Sequence, residues 1–224
     1  TPVDSIWAEP RKVLIEDKKY LLALARLLDM PQQKLKNFLT DRIKRDFVYL
    51  KRHAHPSLVE EIKNLGVKGV STQSEYKRYY PAAEVTAHIL GYTNVDDQGQ
   101  EGIELAYDKI LKGKPGKKRV LKDRLGRIVR NIESVMPSES GTELKLSIDK
   151  RIQYLAYREI VAAAKHHEAK SGSLVMLDVK TGEVIAMVGH PSFNPNNRSW
   201  SKNTTRNRIV TDVYEPGSTM KVFT

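Results

Sequence analysis

Ser218 and Lys221 are the pair in this chain whose residue types and spacing could do covalent chemistry. Three positions apart at the start of a helix, they share one face about one turn apart. Pro216 and Gly217 come just before them, a turn signal that delivers the chain sharply into such a helix. A serine hydroxyl is a weak nucleophile until a base takes its proton, and a lysine is that base only where its surroundings hold it partly neutral. A helix N-terminus beside the serine favours the negative charge that develops in acyl transfer. The chemistry implied is attack by Ser218 on an acyl carbonyl with Lys221 as base, although which group takes the proton stays open.

The S-x-x-K pattern alone is weak, since roughly half of chains this long would carry it from ordinary residue usage. A serine N-cap followed by a solvated lysine explains it equally well. The flanking sequence decides. The run Arg206-Asn207-Arg208-Ile209-Val210-Thr211-Asp212-Val213-Tyr214-Glu215-Pro216-Gly217-Ser218-Thr219-Met220-Lys221 resembles the nucleophile segment of the class B penicillin-binding proteins, and of their cell-division branch most closely. Residues Gly172 to Met187 resemble the first strand pair of that family's transpeptidase domain, and Pro191-Ser192-Phe193-Asn194-Pro195-Asn196 the loop after it. Arg78-Tyr79-Tyr80-Pro81 and Gly99-Gln100-Glu101-Gly102-Ile103-Glu104 resemble two motifs of its N-terminal non-catalytic module. One departure is Ala83, where the family usually has glycine.

The resemblance implies a serine-type peptidoglycan D,D-transpeptidase of the division septum, acylated by β-lactams, with Ser218 and Lys221 catalytic. It implies that Arg78, Pro81, Gly102 and Glu104 form a structural motif at the junction of the two modules, with Arg78 and Glu104 held by charge-assisted hydrogen bonds. No metal or other cofactor is implied. The partners implied are peptidoglycan stem peptides, β-lactam antibiotics and other division proteins, with no nucleic acid. The location implied is the periplasmic side of a bacterial inner membrane, through an N-terminal anchor that would precede Thr1. The S-x-N and K-T-G motifs that complete such a site would follow Ser218, so the 224-residue chain is expected to be inactive alone. Lys180-Thr181-Gly182 spells K-T-G but precedes the serine, in a hairpin turn, and is read as structural.

Breaks and periodicity give the organisation. Leu21, Leu24, Ala25 and Leu28 keep helical spacing between Asp17 and Asp29, and Pro31 opens a second helix with Leu35, Phe38 and Leu39. Phe47 to Leu50 reads as a short strand. Pro56 starts a helix that Gly66 closes. Val67 to Tyr79 reads as extended chain. Ile103, Ala106, Tyr107, Ile110 and Leu111 predict one helix over Gly102 to Lys112. Met136 to Gly141 is the most linker-like stretch. Beyond it, Asp149 caps a helix whose predicted apolar face is Ile152, Leu155, Ala156, Ile160, Ala163 and Ala164. Leu174–Val179 and Val184–Val188 flank a turn at Gly182, and a polar loop runs from His190 to Arg208. The fold class is therefore α+β: an elongated pedestal over 1–140, then the truncated opening segment of a penicillin-binding/β-lactamase-like transpeptidase domain over 141–224.

Composition sets further bounds. With 224 residues and 40% hydrophobic content, two modules can each bury a core. No apolar stretch is long enough to span a bilayer, and a start at Thr1 without methionine suggests a processed fragment. The absence of cysteine leaves the redox compartment open. The net charge is +11, and Lys112 to Arg130 holds nine cations against one Asp. That run reads as a solvated hairpin turning at Asp123-Arg124-Leu125-Gly126, without the aromatics that stack on bases; anionic lipid or acidic partners are secondary readings. The six histidines lack metal-ligand spacing, with His166 and His167 pointing apart on a helix. Neither a G-x-S-x-G elbow nor a phosphate-cradling loop occurs, Gly113-Lys114-Pro115-Gly116-Lys117 lacking the spacing. Three rival readings remain: an elongation-type class B enzyme, a β-lactamase or β-lactam sensor, and a non-catalytic docking module for division proteins.

Overall fold

The computed structural model describes residues 1–15, 18–114, 116–122 and 128–223, in two compact units, Thr1–Tyr79 and Tyr80–Thr224. The first unit runs β1 (Pro2–Ala8), α1 (Pro10–Ile15), α2 (Lys18–Leu27), α3 (Gln32–Thr40), β2 (Val48–Ala54), α4 (Pro56–Leu65) and β3 (Val70–Tyr76). The strands form an antiparallel sheet in the order β2-β1-β3. Ile6 and Ala8 of β1, with Val48 and Ala54 of β2, meet Leu24, Leu35, Leu39, Val59 and Ile62 of the helices in one core. The helix boundaries follow local chemistry. His55 caps α4, Pro56 supplies its first turn, and Gly66 ends it in a left-handed conformation at φ 65°. β1 and α1, which sequence periodicity did not mark, fill the centre of this unit. The start expected for α2 at Asp17 lies outside the described residues.

Alternation along β1 puts Ser5 and Trp7 on the face opposite Ile6 and Ala8. There the Glu75 carboxylate of β3 accepts from Ser5 Oγ, from Tyr49 Oη at 2.7 Å, and from both arms of Arg52 at 2.9 and 3.1 Å. The Arg52 guanidinium also lies over the Tyr49 ring. Burial alone would raise the Glu75 pKa, but the hydrogen bonds from Ser5, Arg52 and Tyr49 outweigh it and hold the carboxyl below its ordinary value. One acid thus ties the two outer strands together across β1.

The second unit begins with a 3-10 turn at Ala83–Val85, then α5 (Ala87–Leu90), α6 (Gly102–Ala106) and α7 (Asp108–Leu111). The single helix expected over Gly102–Lys112 is two, broken at Tyr107. Asp108 Oδ1 accepts from the Gly99 N–H at 2.8 Å. The supposed apolar stripe is largely exposed, and the buried residue of α6 is Glu104. Backbone contact positions α6 instead. A Cβ on Gly91 would lie 1.8 Å from the Glu101 carbonyl oxygen, and one on Gly102 would lie 2.5 Å from that of Ile89. Both glycines have positive φ, so no side chain fits either place.

Next comes the ribbon β4 (Lys117–Lys122) and β5 (Ile128–Met136), an antiparallel pair whose expected turn at 123–126 lies outside the described residues. The stretch 136–141, expected as a linker, is held at the ribbon's base. Lys114 and Glu139 exchange backbone hydrogen bonds of 2.8 and 3.0 Å, and the Thr142 N–H donates to Ile110 O. α8 (Lys150–His166) follows, then the hairpin β6 (Gly172–Leu177) and β7 (Val184–His190), α9 (Lys202–Thr205), α10 (Arg208–Thr211) and a 3-10 segment, Gly217–Val222. The long polar loop therefore holds a short helix. Asp149 Oδ1 caps α8 by accepting from the Arg151 and Ile152 N–H groups. The buried face of α8 is turned from the predicted one: Gln153 is fully buried, whereas Leu155 is 49% exposed. Among the described residues no helix is long and apolar enough to cross a membrane.

Replacing Glu75 by Gln leaves the mostly buried Arg52 without its counter-charge and is expected to cost about 3 kcal/mol at pH 7. Because folding lowers the Glu75 pKa, its contribution is present above the unfolded carboxyl value and fades as pH falls through the folded one. Urea titrations from pH 7 to pH 3 are expected to show wild type and Glu75→Gln converging toward the acid end.

Candidate active site

Ser218 and Lys221 lie on the terminal segment, which is 3-10 rather than the α-helix expected. Gly217 enters it at φ 58°, a left-handed turn that glycine takes without steric cost. In a 3-10 helix residues three apart eclipse, so the two functional positions share one edge of the segment. Both are exposed. Their neighbours Val213, Tyr214, Val222 and Phe223 are also at least 80% exposed, so the described residues give this segment little apolar cover.

The chain just before it is held by charge. Arg206 and Arg208 take one oxygen each of Asp212, at 2.7 and 3.1 Å. Arg206 also donates to Thr211 Oγ1 and O, and Thr211 Oγ1 donates to Asn207 O. Asn207 Nδ2 reaches the His88 carbonyl at 3.1 Å, while Ile209 rests against Gly189. The polar residues of the motif at 206–212 therefore close a ring that ties α10 down five residues short of Gly217. This network was not identified from the sequence, although every member stands in the motif that carried the resemblance.

The segment from Tyr80 to Leu90 is tied to the strand pair and to the loop after it. Gln153 Nε2 donates to Val85 O and Met187 O, at 2.7 and 2.8 Å, and its Oε1 accepts from the Met187 N–H. Asn196 satisfies both backbone groups of Tyr80, at 3.0 and 2.9 Å, and Ser192 Oγ donates to Glu84 O. Phe193 packs edge-on against His88 and Tyr92, with Trp200 beside it. The two motifs Arg78–Pro81 and Pro191–Asn196 thus meet through Tyr80 and Asn196. Tyr80 is buried and Pro81 exposed. Arg78 is half-buried at the end of the first unit, whereas Gly102 and Glu104 stand on α6 of the second. Ala83, the departure from glycine, has φ 43°, the left-handed backbone that a glycine would favour.

His88 Nε2 lies 3.0 Å from the Thr204 carbonyl, which makes it the donor and Nδ1 the bare nitrogen. Burial pushes the His88 pKa down, and the Thr204 carbonyl offsets only part of this. Lys180-Thr181-Gly182 is a turn: Asp178 Oδ1 accepts from the N–H groups of Lys180 and Thr181, which lowers the Asp178 pKa, and Gly182 takes φ 75°. His166 and His167 do not point apart. His167 has left the helical conformation, so their rings meet edge-on at 4.7 Å.

Residues 1–146 match the family model described as the penicillin-binding protein dimerisation domain, and residues 172–224 that of the penicillin-binding protein transpeptidase domain. The chain belongs to the penicillin-binding proteins that carry these two domains in this order. The peptidoglycan D,D-transpeptidase FtsI of Escherichia coli is 46% identical over 225 residues, which cover 98% of this chain and 38% of the relative. The probable peptidoglycan D,D-transpeptidase PenA of Neisseria meningitidis is 38% identical, over 99% of this chain and 39% of its own. The chain thus spans about two fifths of the length of these relatives. Penicillin-binding protein 2X of Streptococcus thermophilus shares the fold at a TM-score of 0.57 and 20% identity, over 99% of this chain and 37% of that one.

Two outcomes follow from this geometry. Ala83→Gly relieves a left-handed alanine and is expected to raise stability by about 0.5–1 kcal/mol in urea unfolding. Because folding lowers the His88 pKa, its neutral form stabilises the fold above the ordinary histidine value, and that contribution is lost as pH falls below it. Acidification from pH 7 to pH 5 is expected to lower the melting temperature of the wild type more than that of His88→Gln.

Proposed function

We propose that this chain is the pedestal and nucleophile-bearing part of a septal peptidoglycan D,D-transpeptidase, divided functionally near residue 140. The observation that carries this reading is the position of Ser218-Thr219-Met220-Lys221 at the end of the transpeptidase match, on a turn where the two side chains share an edge. The alignment to FtsI over nearly the whole chain supports the division branch over the elongation branch. It also speaks against a β-lactamase or sensor, which would have no use for residues 1–146.

In the proposed reaction Ser218 Oγ attacks the carbonyl carbon between the two terminal D-alanines of a stem peptide as its proton passes to Lys221 Nζ. The tetrahedral adduct collapses, the C–N bond breaks, and D-alanine leaves with a proton, giving an ester on Ser218. The amine of a neighbouring stem then attacks that ester, forming the cross-link and freeing the serine. A β-lactam opens its ring on the same oxygen. Arg78, Pro81, Gly102 and Glu104 are proposed as the motif that seats the pedestal against the catalytic domain. The rest of the proposal is a membrane anchor ahead of Thr1, a periplasmic site of action and contacts with other division proteins.

The test is labelling with a fluorescent penicillin, in a polypeptide that continues from this segment through a whole transpeptidase domain. Ser218→Ala is expected to abolish labelling with the melting temperature retained, and Lys221→Ala to slow acylation by about 10²–10⁴. The 224-residue chain alone is expected to stay unlabelled. Full labelling of Ser218→Ala would remove that serine from the mechanism.

A further inference from the structure

We propose that the β4–β5 ribbon is a docking arm for an extended acidic segment of a partner protein, which joins a ribbon edge by backbone pairing. The inference does not depend on the chemistry of Ser218.

The ribbon is a sheet of two strands only, and among the described residues no other element packs broadly on either of them. Both outer edges therefore present unpaired N–H and C=O groups. Two strands alone are marginal in water, and a third strand is what ordinarily makes such a sheet hold. At its base the ribbon is braced by the Lys114–Glu139 backbone pair and by Gly113 and Gly141, where a Cβ would strike the opposing chain. The arm is thus anchored at one end and open along its sides.

Charge selects what can pair with it. Within 112–140 nine cations face three acids, Asp123, Glu133 and Glu139. Glu139 is used by Lys114, whose Nζ lies 2.9 Å away, and the register sets Glu133 opposite Arg119. Lys117, Lys118 and Lys122 are paired with Met136, Ser134 and Ile128, none of which neutralises them. Lysines on an edge keep neutral strands and a second copy of the same ribbon from adding. The same charges favour an acidic strand, because opposite charges across paired strands stabilise and like charges repel. Successive strand positions belong to opposite faces, so Lys117-Lys118-Arg119 charges both of them and leaves no apolar face to sink into a bilayer. No aromatic residue between Lys112 and Ser140 offers a stacking surface for bases.

The test uses the 224-residue chain and a fluorescein-labelled nine-residue peptide alternating Glu and Val. The comparators are an isomeric-length peptide with Pro replacing each Val and vesicles of phosphatidylglycerol. The Glu-Val peptide is expected to bind, to weaken about tenfold or more between 50 and 300 mM salt, and to slow hydrogen exchange of amides in β4 or β5. Lys117→Glu with Lys122→Glu is expected to lose binding, and Lys117→Gln with Lys122→Gln to weaken it, with exchange in α8 unchanged as the check on folding. Equal binding of the proline peptide, or binding without edge protection, overturns strand addition. Preferential binding to the vesicles overturns the protein partner, and no binding of the Glu-Val peptide overturns the proposal outright.

Discussion

Gln153 is the residue on which the arrangement of the second unit depends. One side-chain amide, wholly removed from water, closes three hydrogen bonds to the backbone: two donated, to Val85 and Met187, and one accepted from Met187. A buried amide without these partners would cost on the order of 1–3 kcal/mol. The segment after Tyr80, helix α8 and strand β7 therefore have one mutual position in which Gln153 is satisfied. Asn196, Ser192 and Asn207 repeat the device around it, each reaching a main-chain carbonyl rather than another side chain.

This reliance on the backbone accounts for what the sequence displayed and what it hid. Helix α4 was legible because a proline at its start and a glycine at its end act locally, and α8 because Asp149 caps it locally. The apolar stripe of α8 misled, since the periodicity pointed to Leu155 while a glutamine filled the buried place. No scale of hydrophobicity finds a buried amide whose worth comes from distant carbonyls. The same holds for α6 and α7, where glycine contacts and the Asp108 carboxylate override an apparent stripe of Ile103, Tyr107 and Ile110. Strand β1 was missed because Pro2 to Ala8 shows no clean alternation, although both of its edges are paired.

At the candidate site the sequence displayed the chemical pair and not its support. Ser218 and Lys221 are recognisable by type and spacing. That Asp212 would be gripped by two arginines, and that the segment beyond would be 3-10 and largely exposed, are facts of geometry that spacing does not encode. Ala83 is an instructive case in between. Its departure from glycine was visible in the sequence, and its cost became plain only with a φ of 43°.

The pairing of Tyr80 with Asn196 also sets an order of events during synthesis. The first unit closes its contacts within its own first 79 residues and has all its partners once β3 has been made. Tyr80 and His88 must wait for Asn196 and Thr204, which the ribosome adds 116 residues later. Long-range closure of that kind is slow, and the waiting stretch keeps its open backbone groups in water meanwhile. On a ribosome adding about 5–20 residues per second, that interval is roughly 6–20 s. The chain from Tyr80 to Met136 is thus the part most in need of shelter while it is being made.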